Sequence, residues 1–415
     1  FPYTTLFRSS NLTQSFTVNG ATPKAGFSVV DASSLCSNKE VSIVNLSEVD
    51  FGTVTKLEIF WDYVNNPSAV FVDDNPSLSK TYKNLYPNFQ NQATKTITIR
   101  VRAYSGGSCA DDELKTITLN GSPLVSFQPL PGICLEATPR QITQATFNDV
   151  SGIPNGVELY TGAAVSASGI YDPSISGPGT FPIKYTFTSS NGCSIFTSQD
   201  MLVWPRPTAD FSISALQCEK NPITFTNKSI ANAGNIVIWN WNFGDGTPVL
   251  SNSNGNNVAN TYSVFKTYNA SLDVVTNNGC TSVPKTTTIV VNPLPLVNFD
   301  LPKVCLPIGK ALFTNKTTIP DATSMTYLWN FGDTNDQTAA VTIDGYHNFK
   351  NLQNYDIKLI ATSNNSCKDS LTRTLVDVFP QPKANFTSEV LSRLTRLFIT
   401  ASETSLCGSI TSTEE

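Results

Sequence analysis

The stretch Trp239-Asn240-Trp241-Asn242-Phe243-Gly244-Asp245-Gly246 does most to limit what this chain can become. Its aromatic residues alternate with asparagines, the period of a strand with one buried and one wet face. Gly-Asp-Gly then stops the strand with turn chemistry. The pattern returns 88 residues later as Tyr327-Leu328-Trp329-Asn330-Phe331-Gly332-Asp333. A worn copy, Ile59-Phe60-Trp61-Asp62-Tyr63, lies upstream, with Val64-Asn65 where Gly-Asp would stand. A strand that recurs about every 85–90 residues marks a tandem array of domains.

The rest of the chain can be placed on that period. Strand B reads Ile223-Thr224-Phe225-Thr226-Asn227 and again Leu312-Phe313-Thr314-Asn315. Strand F carries Tyr268, Ala270, Leu272 and Val274 on one face, matched by Tyr355, Ile357, Leu359 and Ala361. Ile97, Ile99, Val101 and Ala103, then Phe181, Ile183, Tyr185 and Phe187, fit the same slots earlier on. The units fall at 21–121, 122–206, 207–294 and 295–381. Prolines mark the joints, as in Pro205-Arg206-Pro207 and Pro293-Leu294-Pro295. Closely spaced prolines favour extended backbone, so short stiff joints and a semi-rigid rod are expected. No stretch shows a long 3.6-residue period. The expected fold is all-β: tandem immunoglobulin-like antiparallel sandwiches, end to end.

The ends fit less well. Residues 1–9, FPYTTLFRS, resemble a translated sequencing adapter and are expected to be an artefact, as a fusion scar would be. Residues 10–20 read as the last strand of a missing domain. Residues 382–415 begin a fifth unit, but the pattern fails after Phe386. That tail reads equally as a divergent unit and as a slipped reading frame.

Composition narrows function. Charged residues make 14% of the chain and the net charge is −5, with no basic run. Nucleic-acid binding, which rests on clustered Lys and Arg, is not expected. No apolar run approaches the ~20 residues a membrane span needs. His347 is the one histidine, so a Ser/His/Asp triad or a zinc site would have to use it. A packing or hydrogen-bonding role is expected instead. Asp245 and Asp333 could offer oxygens to calcium, but one Asp per turn falls short of the six to eight oxygens it takes; each is expected to cap its own turn. Asp111-Asp112-Glu113, the densest acidic cluster, is expected on a solvated hairpin, a cation site being the alternative. Asn45-Leu46-Ser47, Asn227-Lys228-Ser229 and Asn315-Lys316-Thr317 match the N-glycosylation pattern. They fall at corresponding strand ends, so the repeat accounts for them without sugar. No catalytic residue, metal site or cofactor is expected, and no enzyme activity.

The motifs carry a family resemblance. Units three and four resemble PKD (polycystic kidney disease) domains. The signature is Trp241-Asn242-Phe243-Gly244-Asp245-Gly246 with Tyr262 and Tyr268, and Trp329-Asn330-Phe331-Gly332-Asp333 with Tyr346 and Tyr355; Thr334 replaces the last glycine. The first unit lacks the Gly-Asp turn. The second lacks the Trp motif and is similar to another Ig-like repeat found among PKD domains in long surface proteins of Bacteroidota. The resemblance implies a secreted or cell-surface protein, exported in many cases by type IX secretion, with roles in adhesion or gliding. The expected function is a non-catalytic spacer or adhesion region that presents other modules. Its partners would be neighbouring domains of the same chain and surface polysaccharide or protein ligands. The alternative is a set of accessory substrate-binding domains of a secreted hydrolase.

Cysteine adds a constraint. Eight of the nine come two per unit: Cys36 and Cys109, Cys134 and Cys193, Cys218 and Cys280, Cys305 and Cys367. Regular pairs in an extracellular-looking chain point to disulfides. Counting favours pairing within units, such as Cys218 with Cys280. Topology favours the other scheme. The first Cys of each unit falls between strands A and B and the second at the F–G hairpin, at opposite ends of a sandwich. A strand of six to eight residues would hold them ~20–25 Å apart, while a disulfide needs Cα atoms ~4.4–6.8 Å apart. On that scheme the staples cross the joints, as Cys36–Cys193, Cys134–Cys280 and Cys218–Cys367; pairing within units stays open as the alternative.

Overall fold

The computed structural model describes residues 21–89, 92–149 and 156–380. The segments read as 1–9, 10–20 and 382–415 lie outside them, as does Cys407. Two compact units divide the chain, 1–205 and 206–415, and each holds two separate hydrophobic cores.

In the second unit, the core that runs from Ala209 to Val291 lies between two sheets. Strands A (Phe211–Ile213), B (Pro222–Asn227) and E (Val258–Thr261) form one sheet in the order A-B-E. Strands C (Ile236–Asn242), C′ (Leu250–Asn252), F (Thr267–Thr276) and G (Lys285–Val290) form the other, in the order C′-C-F-G. Period-2 alternation builds strand F: Tyr268, Ala270, Leu272, Val274 and Thr276 are buried, and the residues between them are exposed or half-buried. The two faces therefore sort themselves by residue type. The next core repeats the plan with fewer ladder bonds. Met325–Asn330, Tyr355–Ser363 and Lys368–Leu375 stand as C, F and G, while Lys310–Phe313 and Gly345–Asn348 pair as B and E.

In the first unit, the first core has the same two sheets although the sequence signature is absent. Phe27–Val29, Glu40–Asn45 and Thr81–Leu85 stand as A, B and E. Lys56–Phe60, Phe71–Asp73, Thr94–Ser105 and Cys109–Asn120 stand as C, C′, F and G. Its ladder corrects the placement of Trp61. Ile59 pairs with Val101, as Trp241 pairs with Leu272. Ile59 thus takes the place of the core tryptophan, and Trp61, two residues on and only partly buried, stands where Phe243 does. The tyrosine after strand E marks the equivalence. Tyr86 Oη donates to Trp61 O at 2.6 Å, and Tyr262 Oη to Phe243 O at 2.9 Å.

The second core of this unit departs from the plan. Val157–Gly162, Gly179–Thr188 and Ser194–Trp204 run antiparallel, and Ile133–Cys134 joins them parallel to Val203 and Trp204. One helical turn, Pro173–Ser176, interrupts the strands; Asp172 Oδ1 caps it by accepting from Ser174 N at 3.0 Å. Among the described residues no helix is long and apolar enough to cross a membrane.

Candidate functional site: the stapled joints and the Gly-Asp corners

At four places a cysteine near the start of a sandwich pairs in parallel with a residue at or beyond the end of that sandwich's last long strand. The pairs are Cys36 with Asn120, Cys134 with Trp204, Cys218 with Asn292, and Cys305 with Phe379. The A–B cysteine is thereby fixed at the end where its sandwich hands the chain on. In the first unit, Asn120 N donates to Leu35 O and Ser37 N to Asn120 O, both at 2.8 Å. Ser122 N donates to Ser37 Oγ at 2.9 Å, and Ser122 Oγ to Ser37 O. Cys36 is joined there to Cys193, with Cα atoms 5.7 Å apart. In the second unit, Asn292 N donates to Gln217 O at 2.8 Å and Glu219 N to Asn292 O at 2.9 Å. Cys218 is joined to Cys367, Cα to Cα 5.6 Å. Asn365 Nδ2 donates to Asn292 Oδ1 at 3.0 Å, and Leu294 N to Glu219 Oε1 at 3.1 Å. Both disulfides cross a joint between successive sandwiches. Cys134, Cys280 and Cys305 are disulfide-bonded as well; Cys109 is half-buried at the start of its strand.

The F–G cysteine is held by a hydroxyl residue four places earlier, which the sequence reading passed over. Ser189 N donates to Cys193 O, Thr276 N to Cys280 O and Ser363 N to Cys367 O, each at 2.9 Å. Cys280 N and Cys367 N donate back to Thr276 Oγ1 and Ser363 Oγ at 3.2 Å. Ser105 holds the same place before Cys109 and pairs with it in the ladder. A Ser or Thr four residues before each of these cysteines was the available signal.

The Gly-Asp corners form the second recurring device. The motif residues Trp239, Trp241 and Phe243 are all buried on one face, as are Trp329 and Phe331. Gly244 and Gly332 both adopt left-handed φ, 73° and 66°; Gly246 follows at 89°. Asp245 Oδ1 accepts from Thr247 N at 3.0 Å and from Thr247 Oγ1 at 2.6 Å, while Oδ2 accepts from Asn260 Nδ2 at 2.8 Å. Burial opposes the charge on Asp245, but the Thr247 and Asn260 donors outweigh it and hold the carboxyl below the usual range. Asp333 Oδ1 accepts from Asn335 N at 2.9 Å, and its Oδ2 lies 3.2 Å from His347 Nε2. His347 therefore takes the place of Asn260. It is buried, stacks on Phe331 at 4.7 Å and meets Phe349 edge-on at 4.6 Å.

Burial also opposes the charge on Asp333, and Asn335 and His347 again outweigh it, so its carboxyl is lowered from 3.8. A depressed carboxyl adds stability that is complete above its unfolded-state pKa and is lost as pH falls through the folded one. Asp333→Asn is expected to weaken the fourth sandwich at pH 7 by roughly 1–3 kcal/mol, the scale of a hydrogen bond to a charged group. The gap from wild type should close as pH falls below about 4. Urea melts of both proteins across pH 2.5–7 measure it; a gap that stays constant over that range would show that the charge has no part.

The acidic cluster is not a solvated hairpin, which corrects the expectation for it. Asp111, Asp112 and Glu113 lie half-buried on strand G, and each is engaged. Asp111 Oδ2 accepts from Ala25 N at 3.0 Å and Glu113 Oε2 from Phe27 N at 2.8 Å, so carboxylates take up N–H groups just before and at the start of strand A. Asp112 receives two hydrogen bonds each from Arg100 and Arg102, at 2.7–2.9 Å. The two guanidinium groups outweigh the burial that opposes its charge and hold its carboxyl low.

The three glycosylation-like triplets are latches in the structure. The Asn Nδ2 donates to a loop carbonyl: Asn45 to Ser77, Asn227 to Gly255 and Asn315 to Ile343, at 2.9–3.1 Å. Each Oδ1 accepts the N–H two residues on. The hydroxyl at that third place donates to the carbonyl just before Phe27, Phe211 or Phe299: Ser47 to Gly26, Ser229 to Asp210 and Thr317 to Asn298.

A groove of about 480 Å³ opens beside His347 on the fourth sandwich, lined among others by Lys310, Phe331, Asp336, Thr338, Tyr346 and Asn348. Tyr346 is 62% exposed at its rim.

Residues 204–291 match the family described as PKD domain. Among solved structures, the PKD1 domain of Vibrio anguillarum Epp is similar at 25% identity, over 21% of this chain and 95% of that one, with a TM-score of 0.17. The fibronectin(III)-like modules of Clostridium thermocellum CbhA align at 11% identity over 65% of this chain and 95% of theirs, TM-score 0.20. A Ca2+-stabilized adhesin that helps an Antarctic bacterium reach out and bind ice aligns at 9% identity over 87% of this chain and 99% of that one, TM-score 0.31.

Proposed function

We propose that this chain is a non-catalytic spacer and presentation region of a secreted or cell-surface protein. The observation that carries the reading is the pair of buried disulfides, Cys36–Cys193 across the first joint and Cys218–Cys367 across the third. Such bonds persist in oxidising compartments, outside the reducing cytosol. They tie sandwich to sandwich and brace the joints, which serves a region whose work is to hold modules at a distance. The PKD match over 204–291 fits that reading. Antibody against the chain should label intact, unpermeabilised source cells or their medium. Unreduced peptide maps of material from those cells should contain both linked peptides. Robust turnover of protease or glycosidase substrates by the purified chain, or a wholly cytosolic, reduced pool, would overturn the proposal.

One observation favours a second reading, an accessory region that touches the substrate of a neighbouring hydrolase. The groove beside Tyr346 joins an exposed aromatic ring to Lys310, Asp336 and Asn348, the mix of apolar face and polar groups that small-molecule and sugar sites use. Retention of the chain on an insoluble polysaccharide, lost in Tyr346→Ala, would support it.

A further inference from the structure

We propose that the disulfides form a covalent spine that carries tension past the strands they enclose, so that pulling on the chain cannot draw those strands out. The inference holds whatever the chain presents at either end. Cys36 is joined to Cys193, 157 residues on, and Cys218 to Cys367, 149 residues on. A pull that reaches Cys36 therefore passes directly to Cys193. From there it follows the backbone to Cys218, 25 residues away, and passes directly to Cys367.

That short backbone path has a defined course. Cys193 immediately precedes strand Ser194–Trp204, and Cys218 follows strand Phe211–Ile213. Tension thus runs along the last strand of one sandwich, through the proline joint, and along the first strand of the next. The strands between A and G, which carry Trp241 and most of the core aromatics, hang outside the path. The same 25-residue step separates Cys109 from Cys134 and Cys280 from Cys305, so the interval is a property of the repeat.

The size of the effect follows from chain geometry. A chain extends at most ~3.3–3.6 Å per residue. Without the staples, the backbone from Cys36 to Cys367 could lengthen to about 1,100–1,200 Å. With them, the same two points can separate by only the 25-residue step and two disulfide spans of 5.7 and 5.6 Å, about 100 Å in all. Burial of all four sulfur-bearing residues at the joints keeps reductant from the bonds while the sandwiches stay folded.

Force spectroscopy of the full 415-residue chain, held by handles at its two ends, tests this on one molecule before and after reduction by a thiol in denaturant, followed by refolding. The oxidised chain should lengthen by no more than the backbone outside the staples plus the 25-residue step, ~110 residues or about 400 Å. It should show no step of the ~280–300 Å that a whole sandwich would release. After reduction the limit should rise three- to fourfold, with such steps present. Cys218→Ser should return at least ~100 residues of extension to the oxidised chain. Sandwich-sized steps in an oxidised chain whose unreduced peptide map holds both cross-links would overturn the spine, as would a map that lacks either. The comparison before and after reduction stands even where Cys218→Ser folds poorly.

Discussion

Trp241→Ala and Trp329→Ala are each expected to unfold one sandwich and leave the others standing. Trp241 is 1% exposed and meets Phe211 and Phe225 edge-on, at 5.3 and 5.9 Å. Trp329 meets Phe299 edge-on at 5.2 Å and lies tilted 6.0 Å from Phe313. Truncating a buried Trp to Ala costs about 3–5 kcal/mol, from lost transfer energy and the cavity left behind. A small domain has ~5–15 kcal/mol in all. The third and fourth cores are separate clusters, so the loss should stay local. Calorimetry should show one transition moved to low temperature and the others in place. A single transition, shifted whole by either change, would show one cooperative block instead.

The two tryptophans should part company in a milder substitution. Trp329 Nε1 donates to Thr342 O at 3.2 Å, whereas the Trp241 Nε1–H is buried with no partner in the described structure. Replacement by Phe should therefore cost more at 329, where a carbonyl loses its donor, than at 241, where a buried unpaired donor is removed.

These tryptophans also show how far the sequence could be read. The alternation around Trp241 and Trp329 announces a strand, a buried face and a turn, because all three are local consequences of residue order. The same local signal misleads at Trp61. Ile59 and Trp61 share one face of a strand, and either could be the central core residue. What decides is the pairing of Ile59 with Val101 and the bond from Tyr86 to Trp61 O, made by residues 25 to 42 places away. Asp111 and Glu113 failed for the same reason. Their partners are N–H groups just before and at the start of strand A, 86 residues off, and nothing in an acidic triplet says that these groups will lie beside it. Two cystines, Cys36–Cys193 and Cys218–Cys367, were legible because the length of a sandwich weighs against joining its two ends; the bond at Cys305 was not, since the same scheme left that cysteine without a partner. The hydroxyls that set the hairpins, Ser189, Thr276 and Ser363, stand at a constant offset from each Cys but were not legible as such. In a chain rich in Ser and Thr that offset does not stand out until the ladder shows its use.

Gly244→Ala should destabilise the third sandwich far more than Gly246→Ala, although both glycines have left-handed φ. A Cβ at 244 would lie 2.3 Å from the backbone oxygen of Asn269. That oxygen belongs to strand F, whose Asn269 is paired with Thr288 in the ladder, so it cannot move aside without breaking the sheet. Gly332 repeats the constraint, with a Cβ 2.6 Å from Asp356 O. Around Gly246 nothing lies within 4 Å of the added carbon, and the fourth sandwich carries Thr334 at the matching place. At 246 only the backbone cost remains, about 1–2 kcal/mol for a left-handed non-glycine residue. It is partly offset by the ~0.4–1 kcal/mol gained from a less flexible unfolded chain. At 244 the same cost is joined by a clash with fixed backbone, and the sum should reach about 3–5 kcal/mol, the range reserved for strain and overpacking in a rigid setting. Urea unfolding followed by Trp fluorescence measures the difference. Equal losses at the two positions would mean that the corner yields and that strand F does not fix Gly244.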